Sequence, residues 1–163
     1  VVSLYDPSYV PAMTSVVDPN PVELGMRFQA SADGQITGIR FYKSAQDTGT
    51  HVGNLWTANG TLLATATFTN ETASGWQQVE FASPVSINAN TTYVASYHSS
   101  GNYAADPRLF NNSITNGPLT APSSSLIGGN GVYAYGSSSL FPTSSYNSTG
   151  YGVDVLFRAQ LAA

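Results

Sequence analysis

The sequence predicts an all-β protein, an antiparallel β-sandwich of jelly-roll or immunoglobulin-like type with essentially no helix. Three observations lead there. Apolar residues recur with period two wherever any period can be read, no segment carries the stripe of an amphipathic helix, and the alternating segments are short and parted by Gly, Asn and Pro turns. The 163 residues suit one domain, and their 42% hydrophobic content suffices for a core.

Residues 1–21, VVSLYDPSYVPAMTSVVDPNP, hold four prolines and no sustained alternation, so an extended arm is expected ahead of a single sandwich domain over 22–163. In VELGMRFQASA, Val22, Leu24, Met26, Phe28 and Ala30 share one face and Glu23, Arg27 and Gln29 the other, the pattern of a half-buried strand. GIRFYK follows a turn at Asp33-Gly34 and points Ile39 and Phe41 inward. NLWTANGTLLATATF reads as a hairpin in which Asn59-Gly60 suits a tight turn with positive φ at both central residues, and Leu62, Ala64, Ala66 and Phe68 alternate on the return. GWQQVEF offers Val79 and Phe81 to the core, and Pro84 leads into a separate short VSI. TTYVASYHS is the next strand, and YGVDVLFRAQL closes the chain with Tyr151, Val153, Val155, Phe157, Ala159 and Leu161 on one face. Residues 99–131 form a long Ser-, Asn-, Gly- and Pro-rich loop, expected to be ordered by anchors at Leu109, Phe110, Ile114, Leu119 and Leu126 and to hold at most a helical turn or two.

Charges suggest a register. Glu23 and Arg27 on VELGMRF, and Asp154 and Arg158 on VDVLFR, have matching spacing when the strands run oppositely. Pairing residues whose numbers sum to 181 sets Glu23 against Arg158 and Arg27 against Asp154, so the first and last regular strands are expected to be neighbours joined by structural ion pairs.

Only 9% of residues are charged, against roughly 25% on average, so surface polarity must come from Ser, Thr, Asn and Gln, in an extracellular style. A net charge of −4 with five scattered basic residues argues against a nucleic-acid partner. No apolar run approaches the roughly 20 residues that span a bilayer, so no membrane insertion is expected. Sequons at Asn59, Asn70, Asn90, Asn111 and Asn147 are open to N-glycosylation in a glycosylating cell, although a chain this rich in Asn, Ser and Thr generates sequons by chance. The start at Val1 is what a processed secreted chain would show. An extracellular or cell-surface location is expected.

The motifs VELGMRFQA, GIRFYK, GNLWTANGTLLATATF, GWQQVEF, PVSINANTTYVASYH, NYAAD and YGVDVLF, in this order from about Pro21 to Phe157, resemble the DUF4082 family. The resemblance implies an extracellular β-sandwich of unknown function, a module of secreted microbial proteins that are often carbohydrate-active. Relatives often carry Asn-Tyr-Trp before the closing Val-Asp-Val, where this chain has Gly150, Tyr151 and Gly152, so any ligand contact by that Trp is lost here.

The stretch YVASYHSSGNYAAD bears on three chemistries. His98 and Asp106 are near enough in sequence to meet, but a catalytic dyad needs a nucleophile and an oxyanion hole, and no Gly-x-Ser-x-Gly elbow exists. No catalytic residue and no enzyme activity is expected, and Asp106 before Pro107 also reads as a loop cap. The carboxylates are spread singly, so no metal ligand is assigned and no cofactor is expected, with a structural calcium held partly by backbone carbonyls left open. Sugar binding is the sharper expectation. Flat aromatic faces stack on a pyranose while amides and hydroxyls bond its rim, and Trp56, Trp76, Tyr97, Tyr103, Tyr133 and Tyr135 are candidate platforms, although each is also an ordinary sandwich filler. The ligand-binding set is Trp56, Tyr97, His98, Tyr103 and Asp106. The expected function is a non-catalytic module binding glycan or extracellular matrix. The alternative is a self-assembling fibre or sheath subunit whose arm packs on a neighbouring copy.

Overall fold

The computed structural model describes residues 1–160 and is all-β. In chain order the strands are β1 (Met13–Val16), β2 (Val22–Ala30), β3 (Gly34–Lys43), β4 (Val52–Thr57), β5 (Leu62–Thr67), β6 (Gly75–Ile87) and β7 (Tyr93–Ser99). They continue with β8 (Tyr103–Ala105), β9 (Ile114–Asn116), β10 (Leu119–Ala121), β11 (Val132–Tyr135), β12 (Ser144–Ser145) and β13 (Val153–Ala159). Helix is confined to a 3-10 turn, Leu109–Asn111, and the single-turn α1, Ser124–Ile127, both inside the long connection as expected.

Two antiparallel sheets face each other. The larger runs β12-β11-β2-β7-β4-β5, with β10 also on β2 and β9 on β10; the smaller runs β13-β3-β6. Their inner faces interdigitate: Phe41 of β3 stacks on Tyr97 of β7 at 4.1 Å and 17°, and Met26, Phe28, Ile39, Val153, Val155 and Phe157 are all buried there. The period-two reading thus places the core, with two exceptions on its own residues: Leu62 and Ala159 are exposed, while Leu161 lies outside the described residues.

The outer faces depart from expectation. β2 and β7 are buried on both sides, because the segment 136–142 lies over them: Trp56 of β4 packs edge-on against Phe141 at 5.5 Å, and His98 Nε2 meets the Gly136 carbonyl at 2.7 Å. The outer face of β13 is covered by the arm. Val2 forms an antiparallel bridge with Phe157, the Leu4 and Tyr5 amides donate to the Asp154 carboxylate at 2.8 and 2.9 Å, and β1 pairs with β8. The arm therefore folds on its own domain.

The expected pairing of first and last strands is wrong. β2 lies between β7 and β11, whereas β13 belongs to the other sheet and pairs with β3, which sets Asp154 opposite Arg40. Glu23 bonds Ser96 and Asn54, Arg27 donates to the Ile127 and Gly129 carbonyls, and Arg158 donates to Gln35. Cross-strand charge matching did operate, but on the pair Asp154 and Arg40.

Three local readings also change. In the β4–β5 hairpin only Gly60 has positive φ, at 99°, and Thr57 and Thr61 close a three-residue loop followed by a bulge. Pro84 does not separate two strands: β6 runs through it, because β6 is a sheet edge and a register shift opposite Ile36 and Gly38 leaves the proline no amide to supply. Leu126 is no anchor, being 75% exposed, whereas Phe110 and Leu119 are buried.

Candidate functional site

A candidate concave site is a cleft of about 220 Å³ lined by five tyrosines, with Val22 and Leu24 buried beneath them. Strand alternation supplies two walls: Tyr133 and Tyr135, two apart on β11, lie directly across from Leu24 and Val22 of β2. Tyr103 comes from β8, and Tyr146 and Tyr151 from the segment before β13. Two backbone devices bring these segments together. Asp106 and Gly150 exchange backbone hydrogen bonds at 2.7 and 3.0 Å, which sets Tyr151 beside Tyr103. Gly131, at φ 73°, lets β11 approach so closely that a Cβ there would lie 1.6 Å from the Thr149 carbonyl oxygen.

The rings meet almost at right angles, Tyr103 with Tyr151 at 80°, Tyr133 with Tyr151 at 78° and Tyr133 with Tyr135 at 74°, an arrangement favoured by the aromatic quadrupole. Tyr135 and Tyr146 are 52% and 63% exposed, so ligand can reach the mouth. Asp18 stands behind the rim. Its Oδ2 accepts the Tyr135 hydroxyl at 2.5 Å, its Oδ1 accepts the Asn20 amide at 3.1 Å, and its own backbone is tied to Asn102, the neighbour of Tyr103. Burial works against the charge on Asp18, but the hydrogen bonds from Tyr135 and Asn20 outweigh it and hold its pKa below the usual value. The bond to Asp18 in turn raises the Tyr135 pKa, and burial does the same for Tyr103 and Tyr151, so these phenols stay neutral.

Of the residues expected from sequence, Tyr103, Tyr133 and Tyr135 line this cleft. Asp106 sits behind it as a clamp, accepting the Tyr9 hydroxyl at 2.7 Å and the Ala12 amide at 2.6 Å, which is the loop-cap role rather than a ligand or dyad. His98 and Asp106 have separate structural partners, so the dyad is not assembled. Tyr97 is wholly buried against Phe41, and Trp56 is buried with its indole N–H donating to Ser96 at 2.8 Å, so neither is a platform. Trp76 is used internally, stacked on Tyr5 at 5.7 Å with the Arg40 guanidinium 4.1 Å from its ring. Sequence reasoning missed Asp18, Tyr146 and Tyr151. The signal for Tyr151 was present, since Gly150 and Gly152 flank it where a regular strand would not want them.

A second polar cluster is sealed inside. His51 is fully buried, with Nε2 2.8 Å from Asp47 and Nδ1 2.8 Å from Glu71, and Lys43 lies 3.3 Å from Glu71. Burial disfavours the imidazolium, yet the two carboxylates outweigh it and raise its pKa. The hairpin register foretold this meeting: Val52 faces Thr67, so His51 falls beside Phe68, close to Glu71. The carboxylates occupy opposite ring nitrogens, and no group of three or more His, Asp or Glu side chains among the described residues is arranged to hold a metal.

All five sequon asparagines are exposed. Among comparisons with known proteins, the profile of a domain of unknown function, DUF4082, matches residues 8–153. No curated protein matches the chain.

Proposed function

The chain belongs to the DUF4082 family, whose description names no activity, and from the chain's own site we propose a non-catalytic extracellular module that binds glycan. The observation that carries this reading is the tyrosine cleft: exposed rings of Tyr135 and Tyr146 beside further phenol oxygens suit the two-sided chemistry of a sugar ring, with its apolar C–H face and hydroxyl rim. The low charge and the exposed sequons favour an extracellular setting. The proposal needs no metal or cofactor. It also needs no second copy, and the motive for a fibre subunit is weakened because the arm engages its own β13 and β8.

Retention on a panel of insoluble polysaccharides tests it. Tyr135→Ala and Tyr146→Ala remove exposed rings, and each is expected to weaken retention about five- to thirty-fold, the effect of one or two kcal/mol of contact. The melting temperature should be nearly unchanged in Tyr146→Ala and lowered in Tyr135→Ala, which also takes a hydrogen bond from the buried Asp18. Equal retention of both variants, or no retention of the unsubstituted protein on any polysaccharide, would sink the reading.

A further inference from the structure

We infer that the unit held in the tyrosine cleft is an amino sugar, a pyranose bearing a free ammonium group, and that acidic sugars are rejected. This deepens the glycan-binding reading and rests on it.

The argument begins with the direction of the phenol protons. Tyr135 gives its hydroxyl proton to Asp18 in a short, charge-assisted bond, and the Tyr103 hydroxyl shares the same neighbourhood, lowering the Asp18 pKa as well. A phenol has one proton, so once it points at Asp18 only lone pairs remain for a ligand. The carboxylate itself does not enter the cleft. Its second oxygen is occupied by the Asn20 amide and side chain at 3.1 and 3.2 Å. Asp18 is therefore a positioning residue that passes its negative charge to the mouth through Tyr135.

The walls add to this. Rings set at 74 to 80° to one another meet edge to face, so the rings free to offer a negative π-face to a ligand are the exposed ones, Tyr135 and Tyr146. None of the lining residues is Lys, Arg or His, and the whole chain carries −4. A uronate or sulfate would thus meet no cation and, at Tyr135, a lone pair in place of a proton with the Asp18 charge behind it, while the remaining phenols can donate to either kind of sugar. An ammonium offers three donors and a positive charge to the same groups. The volume of about 220 Å³ lies below the roughly 300–1,000 Å³ typical of drug-sized ligands, which fits one ring with its apolar face against the exposed rings of Tyr135 and Tyr146 rather than a chain segment.

Calorimetric titration with short oligomers of glucosamine, N-acetylglucosamine, glucose and galacturonate, at pH 5.5 and again at pH 9, tests the inference. The glucosamine oligomer should bind at least tenfold more tightly than the glucose oligomer at pH 5.5, lose that advantage at pH 9 where its amine is neutral, and outbind the N-acetylated oligomer; galacturonate should not bind. Asp18→Asn and Tyr135→Phe should each bring the glucosamine-to-glucose ratio close to one, while Tyr146→Ala weakens both oligomers together. Equal binding of glucose and glucosamine, or tighter binding of galacturonate, overturns the inference and leaves the glycan-binding reading standing. Glucosamine binding that Tyr146→Ala does not touch is general attraction to an acidic protein and also overturns it. No binding of any oligomer removes both.

Discussion

Asp154 and Glu23 are both fully buried carboxylates on the outer faces of strands, one in each sheet, and their surroundings differ in kind. Asp154 accepts three backbone N–H groups, from Leu4, Tyr5 and Val155, and has Arg40 at 3.5 Å. Glu23 has no cation beside it and accepts from neutral groups, chiefly the Ser96 hydroxyl at 2.6 Å and the Asn54 amide at 2.8 Å, both on Oε2. Burial raises the pKa of both. For Asp154 the arm amides and Arg40 push back, whereas Glu23 is carried up to about 7 against weaker opposition from Ser96 and Asn54. Donors that cannot leave make a buried charge into a tie between distant parts of the chain. Donors that are few and neutral leave it ready to take a proton.

Breaking the tie should give the larger effect. Asp154→Ala deprives Arg40 of its partner and leaves two arm amides without acceptors, which should cost about 3–5 kcal/mol by denaturant titration. Hydrogen exchange should speed up at Leu4 and Tyr5 in the same variant. If those amides keep their protection, Asp154 is not what holds the arm.

Glu23 should reveal itself through pH. Its folded pKa lies above the unfolded value, so the stability it contributes is complete below about 4.5 and is lost as pH rises through about 7. The loss amounts to about 3 kcal/mol across that window. His51, whose pKa is also raised, sends stability in the same direction, so the informative quantity is the difference between the protein and its Glu23→Gln variant. Urea midpoints at pH 4.5 and 8 should fall less in the variant. Parallel falls would mean that Glu23 stays charged throughout.

The same two residues explain what could be read from the sequence and what could not. Inner faces were legible because alternation records them: Leu24, Met26, Phe28, Ile39 and Phe41 are buried as read. Outer faces were taken as solvent faces because they carry Glu, Asp, Ser and His. Those polar residues are instead the groups that seat the covering segments, the arm over Asp154 and residues 136–142 over Ser96, Trp56 and His98. Nothing periodic marks such a cover, since an irregular segment has no alternation to detect. Hence Trp56, read as a platform, is a buried filler whose removal should be a stability lesion, whereas Tyr103, Tyr133 and Tyr135 were found because an aromatic near a long loop is a signal that survives ignorance of topology.

The smallest expected effect separates the observed sheet order from the register that charge spacing suggested. Had β2 and β13 been neighbours, Glu23 and Arg158 would face each other and a double-mutant cycle would return roughly 0.2–1 kcal/mol of coupling. In the fold, Glu23 lies beneath the 136–142 segment in one sheet, and Arg158 is exposed in the other with its guanidinium on Gln35. The two share no partner, and sites of that kind add to within about 0.3–0.5 kcal/mol. Glu23→Gln and Arg158→Gln should therefore be additive, with Arg158→Gln alone shifting stability by no more than about 0.5 kcal/mol. The matching cycle on Asp154 and Arg40, which do face each other across β13 and β3, should give a clearly non-zero coupling of about 0.5–3 kcal/mol. Coupling at the first pair and none at the second would instead place β13 beside β2.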